Sequence, residues 1–143
     1  VAGLVAITPA SGYVGPVSAI LIGIGGGFVC YFGAVILKNK LGYDDSLDAF
    51  GVHGLGGTFG ALATGLFATK AINAAGNDGL FFGNSYQLVV QLISVVATWV
   101  FAFVATMILL KLIDVTMGLR VTVEDEFTGL DMSEHGESGY NLQ

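Results

Sequence analysis

The chain has 143 residues, of which 54% are hydrophobic and 11% charged, less than half the charged share of about 25% usual in soluble domains. Its net charge is −6 and its mean hydropathy +0.78, which sets aside a soluble domain and a nucleic-acid-binding protein and points to a membrane protein. One cysteine, Cys30, admits no internal disulfide, and no Cys/His cluster has metal-ligand spacing, so no metal or cofactor is expected.

Residues 1–37 carry no charged side chain. The first seven read as the end of a hydrophobic helix too short to cross a bilayer. Without a basic n-region a signal peptide is a poor explanation, and the start at Val1 reads as the start of a fragment. A turn over Thr8-Pro9-Ala10-Ser11-Gly12-Tyr13 follows. About 20 apolar residues span a bilayer, and three windows reach that length, 16–37, 46–69 and 86–113. Pro16 suits the first turn of its helix, where a missing N–H is harmless. Asp44, Asp45 and Ser46 are candidate caps for the second window, with Asp48 placed as the reciprocal carboxylate of a cap led by Asp45. Glycines spaced by four, Gly23/Gly27 and Gly56/Gly60, are expected to bring helices close. Gly56, Gly57 and Gly60 together are expected to leave a narrow space beside His53.

That histidine lies in a run, 49–69, with no formally charged residue. An unpaired polar group away from water costs roughly 2–7 kcal/mol. Its neighbours three and four residues along a helix are Ala49, Phe50, Gly56 and Gly57, none offering a side-chain hydrogen bond. The partner is therefore another helix, water or a substrate. An ionisable residue within a membrane is a functional candidate by default; the alternative is a structural histidine satisfied by packing. A neutral imidazole donates one hydrogen bond, accepts one, and handles a proton near neutrality. Those properties suit a small polar species that sheds water to pass, with ammonium and ammonia the natural pair. A K⁺ or Na⁺ path would instead call for a ring of oxygens. Hydrolysis would need a nucleophile and an orienting group converging on the imidazole, yet Thr58 and Thr64 fall on other turns and His135 lies in the tail.

The loop from Lys70 to Ser85 reads as turn chemistry around Asn73, Gly76, Asn77, Asp78 and Gly79. In the third window Gln87, Gln91, Ser94 and Thr98, continued by Ala102 and Ala105, form a stripe expected to face protein, through packing or, secondarily, water-lined transport. Leu88, Leu92, Val96 and Trp99 are expected to meet lipid or a neighbouring subunit. Lys38, Lys40, Lys111 and Arg120 fall on one side of the membrane and Lys70 on the other, which puts the C-terminus in the cytoplasm. Residues 1–120 are thus read as the transmembrane region, with a partial helix over 1–7, and 121–143 as an acidic cytoplasmic tail holding six of the eleven acidic residues. Such a tail is repelled by an anionic leaflet. It either docks on protein near Lys38 and Lys40 through Phe127, Leu130, Met132 and Tyr140, or stays solvated and disordered.

The run Asp45-Ser46-Leu47-Asp48-Ala49-Phe50-Gly51-Val52-His53-Gly54 resembles the ammonium transporter family of Amt, Mep and Rh proteins. So do the Thr8 to Tyr13 turn, Asp114 through Gly118-Leu119-Arg120-Val121, and Gly129-Leu130-Asp131-Met132-Ser133-Glu134-His135-Gly136-Glu137 through Tyr140. The resemblance covers almost the whole chain, in order. It implies an all-α membrane protein that is the C-terminal third of an eleven-helix inverted-repeat transporter: the end of helix eight, helices nine to eleven and the cytoplasmic tail. Conduction in such a fold runs between the halves. It further implies a multi-pass protein of the cell membrane, not an enzyme, assembled as a homotrimer from complete subunits.

By the same resemblance His53 is the second of twin pore histidines, the first lying on the fifth helix. Phe50, Gly54 and Gly57 are expected beside it, as pore lining or helix packing. Asp45 matches the position paired by pseudo-symmetry with an acidic residue of the fifth helix, although capping is the expected role of Asp45 and Asp48. Gly129, Leu130, Asp131, Ser133, His135, Gly136, Glu137 and Tyr140 make up a regulatory tail. In the family that tail contacts the neighbouring subunit and, in bacterial and archaeal members, lies near the binding surface for PII-type signalling proteins. Ser133 falls where some eukaryotic members are phosphorylated. The expected function is ammonium or ammonia transport through a narrow hydrophobic pore; an ammonium sensor signalling through the tail is the alternative, and a membrane-embedded hydrolase a distant third.

Overall fold

The computed structural model describes residues 1–139. Among them all regular structure is helical: α1 (Ala2–Ile7), α2 (Pro16–Leu41), α3 (49–67), α4 (Tyr86–Thr116), α5 (Val123–Thr128) and α6 (Leu130–His135), with 3₁₀ turns at Thr8–Ala10 and Leu80–Phe82. Two compact units divide the chain, Val1–Trp99 and the residues from Val100 onward.

In the first unit α2 begins where the sequence predicts. Gly15 is extended and Pro16 takes the first helical position, where proline's fixed φ suits the turn. The helix runs past the expected limit of residue 37, so Lys38 and Lys40 sit on its last turn rather than in a loop. Gly42 ends it in the left-handed conformation, φ 66°, with its N–H on the Lys38 carbonyl at 2.8 Å, a geometry that costs glycine little. Helix α2 and helix α4 are each long and apolar enough to cross a membrane.

Helices α1, α2 and α3 pack against one another through small residues. Ala6, Ala10, Ile22 and Ala63 are buried, with Ile7, Val14, Phe59 and Phe67 against them. Lipid is as apolar as a side chain, so close van der Waals contact between backbones supplies the attraction here. Glycine makes that contact possible at Gly60, where a Cβ would meet the Ala6 backbone, and at Gly56, where it would meet the Cys30 Sγ. On α2 the contact falls at Gly26, against Ala6, and at Gly33; a Cβ on Gly23 or Gly27 would meet nothing within 4 Å. The expected Gly23/Gly27 pair divides: Gly23 lies beside α1, its Cα 3.8 Å from where a Cβ on Gly3 would stand, whereas Gly27 is exposed.

Both helices depart from α geometry where they meet. Phe32–Leu37 of α2 and Phe50–Leu55 of α3 are π-helical, and Gly33 lies against Gly51, each built so that a Cβ would stand 2.9 Å or less from the other's backbone segment. Widened turns misalign carbonyls, and two of these find acceptable donors nearby. The Cys30 thiol points at the Val52 carbonyl at 3.6 Å, and the Tyr43 hydroxyl donates to the Gly33 carbonyl at 3.4 Å.

The third expected window opens as α4 at Tyr86 and continues to Thr116. Of the predicted stripe, Gln87 and Gln91 are half-buried in the first unit, Gln91 against Gly65. Ser94 and Thr98 are exposed, Ser94 returning its hydroxyl to the Val90 carbonyl at 2.9 Å, which satisfies it without a partner helix. Trp99, expected to meet lipid or a neighbouring subunit, is partly exposed and donates its indole N–H to Thr58 Oγ1 at 2.8 Å. An indole N–H cannot be satisfied by its own helix, so the side chain turns to α3.

The second unit contains α5 and α6, separated by Gly129. Thr122 caps α5, its Oγ1 accepting the Asp125 N–H at 3.2 Å and its hydroxyl donating to Asp125 Oδ2 at 2.6 Å. Glu124, Asp125 and Glu126 occupy the first turn, where acids suit the helix dipole. Arg120 grips Glu126 with Nε and Nη2 at 2.7 and 3.2 Å. Asp131 closes the segment: its carboxylate accepts the Gly139 N–H at 2.8 Å and its carbonyl the Glu137 N–H at 2.9 Å.

Two outcomes follow for stability. A methyl group at Gly51 would stand 2.5 Å from the Ala34 backbone nitrogen, so Gly51→Ala should destabilise the protein by about 1–3 kcal/mol, the usual cost of overpacking, read as a lower midpoint in detergent unfolding. The backbone N–H of Gly139, foremost, holds the Asp131 carboxyl below its ordinary pKa. Because the folded value is the lower one, that contact stabilises the tail at neutral pH and is lost as pH falls from the ordinary carboxylate value through the lower folded one. Amide exchange at Gly139 should therefore quicken on acidification, and Asp131→Asn should remove the pH dependence.

Candidate functional site

Helix α3 presents the expected pore residues on its π-helical first turns. The helix starts at Ala49, later than the predicted Ser46, because Asp48 adopts φ 55°, the left-handed region. Asp45 caps it as expected, in an unexpected manner: its two carboxylate oxygens accept the N–H groups of Ala49 and Phe50 at 2.8 and 2.9 Å. Asp48 is not the reciprocal carboxylate of that cap. It binds Lys38 Nζ at 2.6 Å, and the same ammonium donates to the Asp45 carbonyl at 2.7 Å. No local spacing announced this pairing, since Lys38 belongs to the preceding helix.

His53 sits within the π segment and is exposed. Among the described residues no hydrogen bond reaches its ring. Phe50, 38% exposed, packs edge-on against Tyr43 with centroids 5.7 Å apart and against Trp99 at 5.8 Å. A Cβ on Gly54 would stand 3.0 Å from the Phe50 ring, whereas one on Gly57 would meet nothing within 4 Å. The three glycines expected to leave space beside His53 therefore divide: Gly57 leaves it, while Gly56 and Gly60 are filled by Cys30 and Ala6. A helix turns about 100° per residue, which carries Gly56 and Gly60 to the side that packs.

The two hydroxyls weighed for hydrolysis are engaged elsewhere. Thr58 accepts from Trp99, and Thr64 donates to the Gly60 carbonyl at 2.8 Å. No group of three metal-ligating side chains gathers among the described residues. Gln87 and Gln91, read from sequence as helix packing or, secondarily, water-lined transport, line a cavity of about 310 Å³ with Tyr13, Thr64 and Asn77, which sequence spacing could not show because four separate segments form it.

Of the tail residues, Gly129 (φ 94°) joins α5 to α6 and Gly136 (φ 64°) ends α6. Ser133 and His135 are exposed on α6, and Leu130 is 46% exposed. Phe127 and Met132, expected as anchors, are also exposed. Tyr140 lies outside the described residues.

Residues 1–140 match the model of the Ammonium Transporter Family. The chain belongs to that family. Relatives include the ammonium transporter of Bacillus subtilis, 53% identical over 98% of this chain and 35% of its own length, and ammonium transporter Amt1 of Archaeoglobus fulgidus, 47% identical over the same shares. Among solved structures, Saccharomyces cerevisiae Mep2 superposes with a TM-score of 0.79 at 36% identity, covering 86% of this chain and 29% of that one. Candida albicans Mep2 gives 0.78 at 33% identity over 94% and 31%. The chain thus spans about a third of the length of its relatives, and it is a helical fragment of the transporter fold. Membership makes it a membrane protein.

For the cap, Asp45→Ala would leave the Ala49 and Phe50 amides without their acceptor. A loss of about 0.5–2 kcal/mol is expected, the range for deleted caps, measured by thermal unfolding of the complete protein.

Proposed function

We propose that the complete protein carries ammonium or ammonia across the membrane, and that His53 lines the path. The observation that carries this reading is an imidazole in an uncharged run, exposed on a π-helical turn beside the open side of Gly57. Family membership and relatives named as ammonium transporters support the substrate. His53 offers one donor and one acceptor to a species that sheds water. Phe50, Gly54 and Gly57 shape the wall around it, and Asp45 and Asp48 fix the helix start. A second histidine from the part of the protein beyond this chain completes the pair.

Transport is also favoured over hydrolysis by Thr58, whose hydroxyl oxygen accepts from Trp99, and by Thr64, whose hydroxyl donates to the Gly60 carbonyl. We further infer a multi-pass arrangement with residues 1–120 in and around the bilayer, a cytoplasmic C-terminal tail from 121, and a homotrimer of complete subunits. The self-contained structure of the tail, with the Thr122 cap and the Asp131 closure, favours a regulatory element that a PII-type protein or a neighbouring subunit reads through residues 129–137. The same observation supports the second reading, an ammonium sensor signalling through the tail. Flux separates the two.

In the complete protein His53→Ala should change ammonium flux, or its preference over K⁺, by about tenfold, the equivalent of one hydrogen bond of roughly 1.4 kcal/mol, with normal assembly. Unaltered flux and preference would remove His53 from the path, and ligand-dependent partner binding without flux would favour the sensor.

A further inference from the structure

We propose that Lys38 is a positioning residue for His53, acting through Asp48 and the paired π-helical turns; this rests on the pore reading of His53. An exposed ion pair between two surface side chains ordinarily contributes little. This one is built differently. The Lys38 ammonium joins two acceptors from the crossover between α2 and α3, the Asp48 carboxylate at 2.6 Å and the Asp45 carbonyl at 2.7 Å, and both side chains of the ion pair are partly buried.

Each acceptor leads to the start of α3. Asp48 is the one non-glycine residue among those described with positive φ, a conformation that persists only where surroundings hold it. Its carbonyl accepts the Val52 N–H at 2.9 Å, next to His53. Asp45, held by its carbonyl to the ammonium, uses its carboxylate on the N–H groups of Ala49 and Phe50. The left-handed residue, the cap and the first backbone bond of α3 are therefore tied to a single cation on α2.

The other end of that tie is equally defined. Lys38 directly follows the π segment Phe32–Leu37, which meets the π segment Phe50–Leu55 at Gly33 and Gly51. A π turn and its α alternative differ in register, so the rotation of every residue beyond it depends on which is held. Two facing turns clamped at Gly33/Gly51 and locked at Lys38/Asp48 leave the segment between, with His53 in it, one azimuth about the helix axis. Release of the lock lets α3 relax toward α geometry and turns the imidazole away from its setting.

The test compares Lys38→Met, Lys38→Arg, Asp48→Gly and His53→Ala in the complete protein, with flux expressed per molecule found in the membrane. Asp48→Gly relieves the left-handed backbone while deleting the carboxylate, and so carries the comparison should Lys38→Met fail to accumulate. Lys38→Met and Asp48→Gly should each lower ammonium flux and its preference over K⁺ by about threefold or more, as couplings through packed elements do. Lys38→Arg should restore most of both, and Lys38→Met should add nothing in a His53→Ala background. A purely structural role would reduce the amount of protein and leave flux per molecule and preference unchanged, which overturns the proposal, as does a loss that multiplies with that of His53→Ala. If His53→Ala itself alters neither quantity, the pore reading fails; if it does and Lys38→Met and Asp48→Gly do not, the lock alone fails.

Discussion

Helices α2 and α3 meet at Gly33 and Gly51, where neither backbone tolerates a Cβ on the other, and the site depends on that approach. Contact this close brings peptide groups of two helices together in a setting where water is scarce, and every polar backbone group there must find a protein partner. The π-helical turns on both sides answer that demand. They shift the carbonyls of Gly33 and Val52 toward Tyr43 and Cys30, so the irregularity of α2 is satisfied from the connecting loop and that of α3 from α2. His53 is carried on this repaired turn. The ring is exposed on that turn.

The parts of the structure legible in the sequence are those governed by local rules. Pro16 after Gly15 fixes the start of α2, and a long uninterrupted apolar run fixes α4. In the tail, by contrast, the Thr122 cap and the short helices on either side of Gly129 were not read from the sequence, where acidic composition dominated. The conspicuous histidine was visible, since an imidazole in an uncharged span has few reasons to be there.

What the sequence did not disclose depends on the phase of one helix against another. Four-residue spacing marked Gly23/Gly27 as readily as Gly56/Gly60, yet Ala6 faces Gly26 and Gly60. The polar stripe on α4 counted Ser94 and Thr98 as groups needing a partner, although Ser94 closes on its own helix and Thr98 is exposed. Trp99 lies on the surface opposite the stripe and stays partly exposed, while its N–H finds Thr58 on another helix. Asp48 looked like part of a cap because its neighbours are caps; the cation it binds comes from ten residues earlier. In each case a hydrogen-bond demand or a close contact, both invisible to hydropathy, outweighed the periodic pattern.

Trp99 carries one more implication. It is the sole tryptophan of the chain, and its indole touches Thr58 on one side and the Phe50 ring on the other, bracketing the turn that bears His53. Within this segment the tryptophan emission thus originates at a single indole seated against that turn, a built-in optical reporter that senses whether the surroundings of the imidazole become wetter or drier.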